Sequence, residues 1–65
     1  MNIVVNGQPV TTQAASLSDL LAEHGYGTAK VATAVNGTLA PASMRHEQEI
    51  VDGDQIEIVA PMQGG

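Results

Sequence analysis

Two Asn-Gly dipeptides, at positions 6–7 and 36–37, place the strongest constraint on how this chain can fold. Each follows a run that contains β-branched residues, Ile3–Val5 in the first case and Val31–Val35 in the second. Asn-Gly tolerates the positive φ angles of a two-residue hairpin turn, and β-branched residues favour strands. The sequence therefore predicts two hairpins, the first of which pairs Ile3–Val5 with a strand over 8–12.

One amphipathic helix is predicted between the two hairpins. Ser16 is a typical N-cap residue, and leucines at positions 17, 20 and 21 share one face of a helix that begins there. Gly25 favours a C-terminal cap. These signals predict a helix of about nine residues.

The last strand is predicted over 55–60, after a turn at 52–54. Alternation places positions 56, 58 and 60 on one face and Glu57 and Val59 on the other. Only short strand or turn pieces are expected over 38–48, where Pro41 interrupts a weak pattern. The order hairpin, helix, strand, irregular segment, strand predicts an α+β protein of the β-grasp type, with a mixed sheet packed on one main helix.

Size and charge exclude several classes of function. The chain has 65 residues and no cysteine, which predicts one small domain with no disulfide and little room for an enzyme pocket. The formal net charge is −5, and five acidic residues follow the last basic one, Arg45. This charge opposes nucleic-acid binding and favours a basic partner surface. Without a signal-peptide pattern or a long apolar run, the sequence predicts a cytoplasmic protein that does not enter membranes.

Conventional catalytic and metal-binding patterns are absent from the sequence. No glycine-rich phosphate loop precedes a lysine, and no nucleophile has a base and an orienting group nearby. His46, Glu47 and Glu49 form the only compact group of possible metal ligands, but alternation in an extended segment would separate them onto two faces. We therefore expect no bound metal and no bound cofactor.

The remaining chemical candidate is the end of the chain, Gly64 and Gly65. Two glycines can pass through a narrow channel in an extended form, which would bring the terminal carboxylate to a nucleotide in a partner's active site. An isolated Gly-Gly end is more often only a frayed terminus. The rest of the chain must decide between these interpretations.

Resemblance to a known family is carried by five segments: MNIVVNG (1–7), SLSDLL (16–21), VATAVNG (31–37), DGDQIEIV (52–59) and the terminal Gly-Gly. In their order, spacing and end, the chain resembles the ThiS sulfur carriers of thiamine biosynthesis, which are ubiquitin-like β-grasp proteins. One departure lies between Ala40 and Arg45. Ala42 and Met44 stand where family members often carry a basic residue and an aromatic one.

The resemblance implies a protein that is a substrate of other enzymes and not itself an enzyme. A ThiF-type adenylyltransferase would use ATP to adenylate the Gly65 carboxylate, and sulfur from a cysteine desulfurase or another persulfide donor would displace AMP. The thiocarboxylate would then supply sulfur to a ThiG-type thiazole synthase. Gly64 would help the tail to thread into the partner. Contacts with the partner are predicted for Asp54, Glu57, Val59 and Met62.

Residues 1–65 are expected to form a single β-grasp domain in which 61–65 are a flexible tail. Three other functions stay open. A MoaD-type carrier for molybdopterin synthesis would share the fold, tail and activation chemistry, although such proteins are usually longer. Ubiquitin-like conjugation is disfavoured because Pro61 and Gln63 stand where the ubiquitin tail is basic. A non-covalent β-grasp interaction module would use 64–65 only as an inert end.

Overall fold

The computed structural model describes residues 1–27 and 30–60. Its five strands form one sheet in the order β2-β1-β5-β3-β4, in which β1 and β5 are parallel and the other neighbours antiparallel. The predicted α+β architecture of the β-grasp type is confirmed. The elements are, in chain order, β1 (Asn2–Val5), β2 (Gln8–Thr11), α1 (Leu17–Glu23), β3 (Ala32–Val35), β4 (Thr38–Leu39), a 3₁₀ helix (Ala42–Met44) and β5 (Gln55–Val59).

Both Asn-Gly dipeptides form the hairpin turns that the sequence predicts. Asn6 and Asn36 have φ angles of 50° and 51°, and the glycines that follow have φ angles of 80° and 83°. Positive φ at both central residues is the requirement of a type I′ turn, which matches the twist of paired strands. Three strands, β2, β3 and β5, are each one residue shorter than predicted.

The helix begins and ends at the predicted signals. Ser16 caps it, because its side-chain oxygen accepts a hydrogen bond from a backbone N–H of the first turn at 3.1 Å. At the other end Gly25, with φ of 83°, donates its N–H to the Ala22 carbonyl, and the Tyr26 N–H reaches the Leu21 carbonyl at 2.7 Å. This pair of bonds is a Schellman motif. Closure at Gly25 limits α1 to seven residues, fewer than predicted.

The core lies between α1 and one face of the sheet. Full burial of an aliphatic side chain stabilises a fold by about 1.5–3 kcal/mol, so this face carries most of the packing energy. The buried apolar residues are Ile3, Val5, Ala14, Leu17, Leu20, Leu21, Val35, Ala40, Ile50, Ile56 and Ile58.

The irregular segment between β4 and β5 supports the start of the helix. Carbonyls of Gln48 and Arg45 accept hydrogen bonds from the N–H groups of Leu17 and Ser18, at 2.8 and 3.1 Å. These are first-turn N–H groups that lack partners inside a helix. The Arg45 side chain also donates to the buried Thr33 hydroxyl at 3.2 Å. Arg45 therefore connects this segment to both α1 and β3.

Candidate docking face and tail exit

The central strand β5 separates the two faces of the sheet residue by residue. Ile56 and Ile58 are 1% and 6% exposed and belong to the core, whereas Val59 is 61% exposed. Glu57 is also exposed and shares the outer face with Val59. The alternation predicted for 56–59 is confirmed, although Ala60 lies beyond the end of β5 and is exposed.

An apolar patch with one carboxylate occupies part of the outer face. Ala32 pairs with Val59, and Ala34 pairs with both Glu57 and Leu39, so these residues stand side by side on three adjacent strands. Directly opposed residues on neighbouring antiparallel strands lie about 4.5–5.5 Å apart. We call the surface formed by Ala32, Ala34, Leu39, Glu57 and Val59 the outer patch.

Leu39 is the large apolar member of the outer patch that the sequence prediction missed, along with the smaller Ala32 and Ala34. Its side chain is 70% exposed, more than those of the other exposed large apolar residues in 1–27 and 30–60. A signal was available, since a two-residue turn at 36–37 sets the register of the strand that follows. That register pairs Val35 with Thr38 and Ala34 with Leu39. Single exposed leucines are common on protein surfaces, but Leu39 adjoins other apolar residues.

The structure corrects the prediction that Asp54 contacts a partner. Asp54 is only 7% exposed. Its carboxylate accepts hydrogen bonds from the Asn36 side-chain amide and from the Val51 N–H, both at 2.9 Å. Because these bonds satisfy a buried charge within the domain, Asp54 holds the turn before β5 and is not available as a docking charge.

The five acidic residues after Arg45, whose charge favours a basic partner surface, lie in different parts of the fold. Glu49 lies in the segment that bridges to Ser16 at the start of α1. The Asp52 carboxylate accepts a hydrogen bond from the Asn2 N–H at the start of β1, at 2.7 Å. Only Glu57 projects from the outer patch. Any steering charge on that face is therefore one carboxylate.

The predicted site residues of the tail, Met62, Gly64 and Gly65, lie outside the described residues. Within 1–27 and 30–60, no three His, Asp or Glu side chains are grouped so that they could hold a metal ion. The same ranges include no helix long and apolar enough to cross a membrane. The described residues thus form a surface suited to binding, which includes the last residue of β5.

A mixed sheet of this order, packed on one helix and followed by a C-terminal extension, defines a ubiquitin-like β-grasp protein. The model of the ThiS family matches residues 2–65. The chain therefore belongs to the ThiS family, and the resemblance found in the sequence is confirmed.

Solved structures agree with this assignment. The crystal structure of the thiamine biosynthesis protein ThiS from Geobacter metallireducens is 30% identical, with a TM-score of 0.84 and complete coverage of both chains. A solution structure of a thiamine biosynthesis protein from the same organism is 29% identical, with a TM-score of 0.80, and covers all of this chain and 88% of the other. An uncharacterized protein, ycf40 of Porphyra purpurea, is 32% identical over all of this chain and 93% of its own length.

Proposed function

We propose that the protein is a sulfur carrier of thiamine biosynthesis and that the carboxylate of Gly65 is the group that carries the sulfur. The match of the ThiS family model over residues 2–65 is the observation that supports this most directly. A chain without cysteine has no thiol of its own to carry sulfur as a persulfide. A terminal carboxylate can hold sulfur only after one of its oxygens is replaced.

Replacement of a carboxylate oxygen requires activation. In the proposed sequence a carboxylate oxygen attacks the α-phosphorus of ATP, pyrophosphate leaves, and an acyl adenylate forms. A persulfide sulfur then attacks the carbonyl carbon and AMP departs. A second thiol cleaves the sulfur–sulfur bond, which yields the thiocarboxylate and a disulfide. The carrier supplies only the acyl group, so every catalytic residue belongs to a partner.

Three partners follow from this chemistry: a ThiF-type adenylyltransferase that uses ATP, a cysteine desulfurase or other persulfide donor, and a ThiG-type thiazole synthase that takes the sulfur. We propose that the adenylyltransferase docks on the outer patch. Val59 and Leu39 are 61% and 70% exposed there, and their burial against a partner would release water from apolar surface. Glu57 lies among them and favours a basic residue opposite it.

The length of chain beyond β5 limits where the partner's nucleotide can lie. Six residues separate Val59, the end of β5, from Gly65 when that residue is counted. Extended chain spans at most about 3.3–3.6 Å per residue, so the carboxylate reaches roughly 20 Å from the end of β5. An adenylyltransferase that docks at the outer patch must therefore hold ATP within that radius.

Intact-mass spectrometry after incubation with an adenylyltransferase of this type, ATP and a persulfide donor tests the proposal. One oxygen of the carrier should be replaced by sulfur, and fragment ions should place the change at Gly65. A variant that lacks Gly65 is the control and should gain no sulfur. Sulfur at another residue, or none with a competent enzyme and donor, would contradict the carrier role and favour a non-covalent module.

Transfer distinguishes the two carrier functions. The thiocarboxylated protein should lose its sulfur to a thiazole synthase with its substrates present. Transfer to a molybdopterin synthase partner, and none to the thiazole synthase, would assign the MoaD-type function instead. The predicted cytoplasmic location stays a prediction.

A further inference from the structure

The two Asn-Gly turns do more than reverse the chain, because both asparagine side chains reach β5. Asn36 accepts a hydrogen bond from the Gln55 N–H through its side-chain oxygen and donates its amide N–H to the Asp54 carboxylate, both at 2.9 Å. Asn6 accepts from the Ile58 N–H at 2.8 Å and donates to the Ile58 carbonyl at 3.1 Å. One asparagine thus holds the start of β5 and the other holds its end.

Asn6 continues the sheet where its own strand has already turned away. Along the edge shared by β1 and β5, the Val4 N–H donates to the Asp54 carbonyl and the Asn6 N–H donates to the Ile56 carbonyl, both at 2.9 Å. The next residue of β5 on that edge is Ile58, but β1 ends at Val5. The side-chain amide of Asn6 takes the place of the missing peptide group and binds both backbone groups of Ile58.

Asparagine is suited to this contact for two independent reasons. A primary amide carries a donor and an acceptor on one planar group, as a peptide does, whereas a carboxylate carries acceptors only. Asparagine also tolerates the φ angle of 50° that this turn requires, which most residues with a Cβ do not. Glycine meets the second requirement and lacks the first.

The geometry points to Asn6 as a positioning residue for the reaction at Gly65, an inference that rests on the proposed function. Ile58 directly precedes Val59, which belongs to the outer patch and is the last residue of β5. A partner that docks on the patch therefore receives the tail from a backbone that Asn6 has fixed. Without this contact, the last residues of β5 gain freedom and a smaller share of docked carriers presents the carboxylate to ATP.

Asn36 offers a matched control. It has the same turn type, nearly the same φ angle and the same number of side-chain hydrogen bonds, but it lies at the other end of β5. Asn6→Gly and Asn36→Gly both keep the backbone conformation and remove the amide. Both variants should be destabilised, Asn36→Gly also because the buried Asp54 carboxylate loses one of its donors, and only Asn6→Gly should loosen the end of the strand.

The experiment compares steady-state kinetics of partner-dependent ATP–pyrophosphate exchange for the two variants and the wild type, at a temperature where circular dichroism shows all of them folded. Asn6→Gly should lower kcat about tenfold with KM for the carrier changed less than about twofold, since docking survives and productive placement does not. Asn36→Gly should keep both constants. By NMR hydrogen exchange, the Ile58 amide should become faster relative to the Ile56 amide only in Asn6→Gly.

Asn6→Asp provides a second variant should the glycine variant fold poorly. It keeps tolerance of positive φ and an acceptor for the Ile58 N–H, but it cannot donate to the carbonyl. Its kcat should also fall. A wild-type kcat in the folded Asn6 variants, or an equal loss in Asn36→Gly, would overturn the positioning role while an active wild type leaves the proposed function standing. No exchange by the wild type would overturn the proposed function and this inference with it.

Discussion

The two faces of β5 are formed by alternate residues of one short strand, yet one face is buried in the core and the other is exposed. Ile56, on the inner face, is 1% exposed and packs with the helix, whereas Val59, on the outer face, is 61% exposed. Most stability of a small domain comes from its buried side chains, so the outer face can change without unfolding the protein. The comparison teaches that stability and partner recognition should separate by face, and the tail should affect recognition and chemistry alone.

The largest effect is expected from Gly65→Val, at the end of the chain. A side chain next to the carboxylate crowds the position where AMP is attached, and misplacement of a reacting group by about 1 Å can cost 100-fold in rate. Pyrophosphate exchange should therefore fall about 100-fold or more. Gly64→Val should also lower the exchange rate, because its side chain would obstruct passage of the tail through the partner's channel. The free energy of unfolding should change by no more than about 0.5 kcal/mol in either variant.

Pyrophosphate exchange and thermal unfolding, measured on the same samples, check this separation. Full exchange in both valine variants would rule out a narrow channel. A large drop in the thermal midpoint would instead show that the tail packs on the domain.

Truncation on the inner face should have the next largest effect, and it should act on stability. Ile56→Ala removes a fully buried side chain and is expected to cost about 2–5 kcal/mol. For a domain of this size each kcal/mol lowers the thermal midpoint by about 4–8 °C. Val59→Ala, three residues along the same strand, is the matched control and should change stability by less than about 0.5 kcal/mol. Similar losses in both variants, measured by urea unfolding, would contradict the division of faces.

Asp54 and Glu57 test the difference between buried and exposed positions with charged residues. Asp54→Ala leaves the Val51 N–H and the Asn36 amide without their acceptor, which should cost about 1–3 kcal/mol. Glu57→Ala removes an exposed carboxylate and should stay within about 0.5 kcal/mol. Urea midpoints at constant m-value provide the comparison. If Asp54→Ala were as stable as the wild type, the hydrogen bonds of its carboxylate would have no net structural value.

Local sequence signals predicted most of the fold. The Asn-Gly turns, the Ser16 cap, the leucine spacing and the alternation at 56–59 each depend on residues within one turn or one strand. The ends of strands were less predictable, because a strand extends only as far as at least one neighbouring strand pairs with it. The helix was shorter than expected because two hydrogen bonds around Gly25 close it directly after Glu23.

The outer patch and its surroundings were predicted only in part, because they depend on contacts between distant residues. Asp54 resembled a surface charge in a turn, and its burial follows from a hydrogen bond to Asn36, 18 residues away. The contact between Asn6 and Ile58 joins residues 52 apart and has no local signal. Glu57 and Val59 were placed on the outer face correctly because alternation within one strand sufficed.

A moderate effect on recognition is expected from Val59→Ser. The hydroxyl replaces apolar surface that the proposed partner would cover, at about 25 cal/mol per Å² of lost burial. KM for the carrier in pyrophosphate exchange should rise about fivefold, with kcat and stability nearly unchanged. Thr11→Ser is a suitable control, since Thr11 is exposed on the edge strand β2, away from the outer patch. A KM that does not change in Val59→Ser would indicate that the partner docks elsewhere.

The smallest effect should come from Glu57, the one carboxylate of the outer patch. A single exposed charge steers encounter weakly, so Glu57→Gln should lower the association rate with the adenylyltransferase by about twofold at low salt. Added salt should reduce this difference, because charges are screened over about 10 Å at 0.1 M ionic strength.

Glu49→Gln is the matched control, since Glu49 lies by the start of α1 and should not affect the encounter. Stopped-flow association rates of both variants and the wild type, measured at two salt concentrations, test whether Glu57 alone steers the encounter. Equal losses in both variants would indicate that acidic residues outside the outer patch also steer the encounter, whereas a salt-insensitive rate in the wild type would leave the apolar residues of the patch as the basis of recognition.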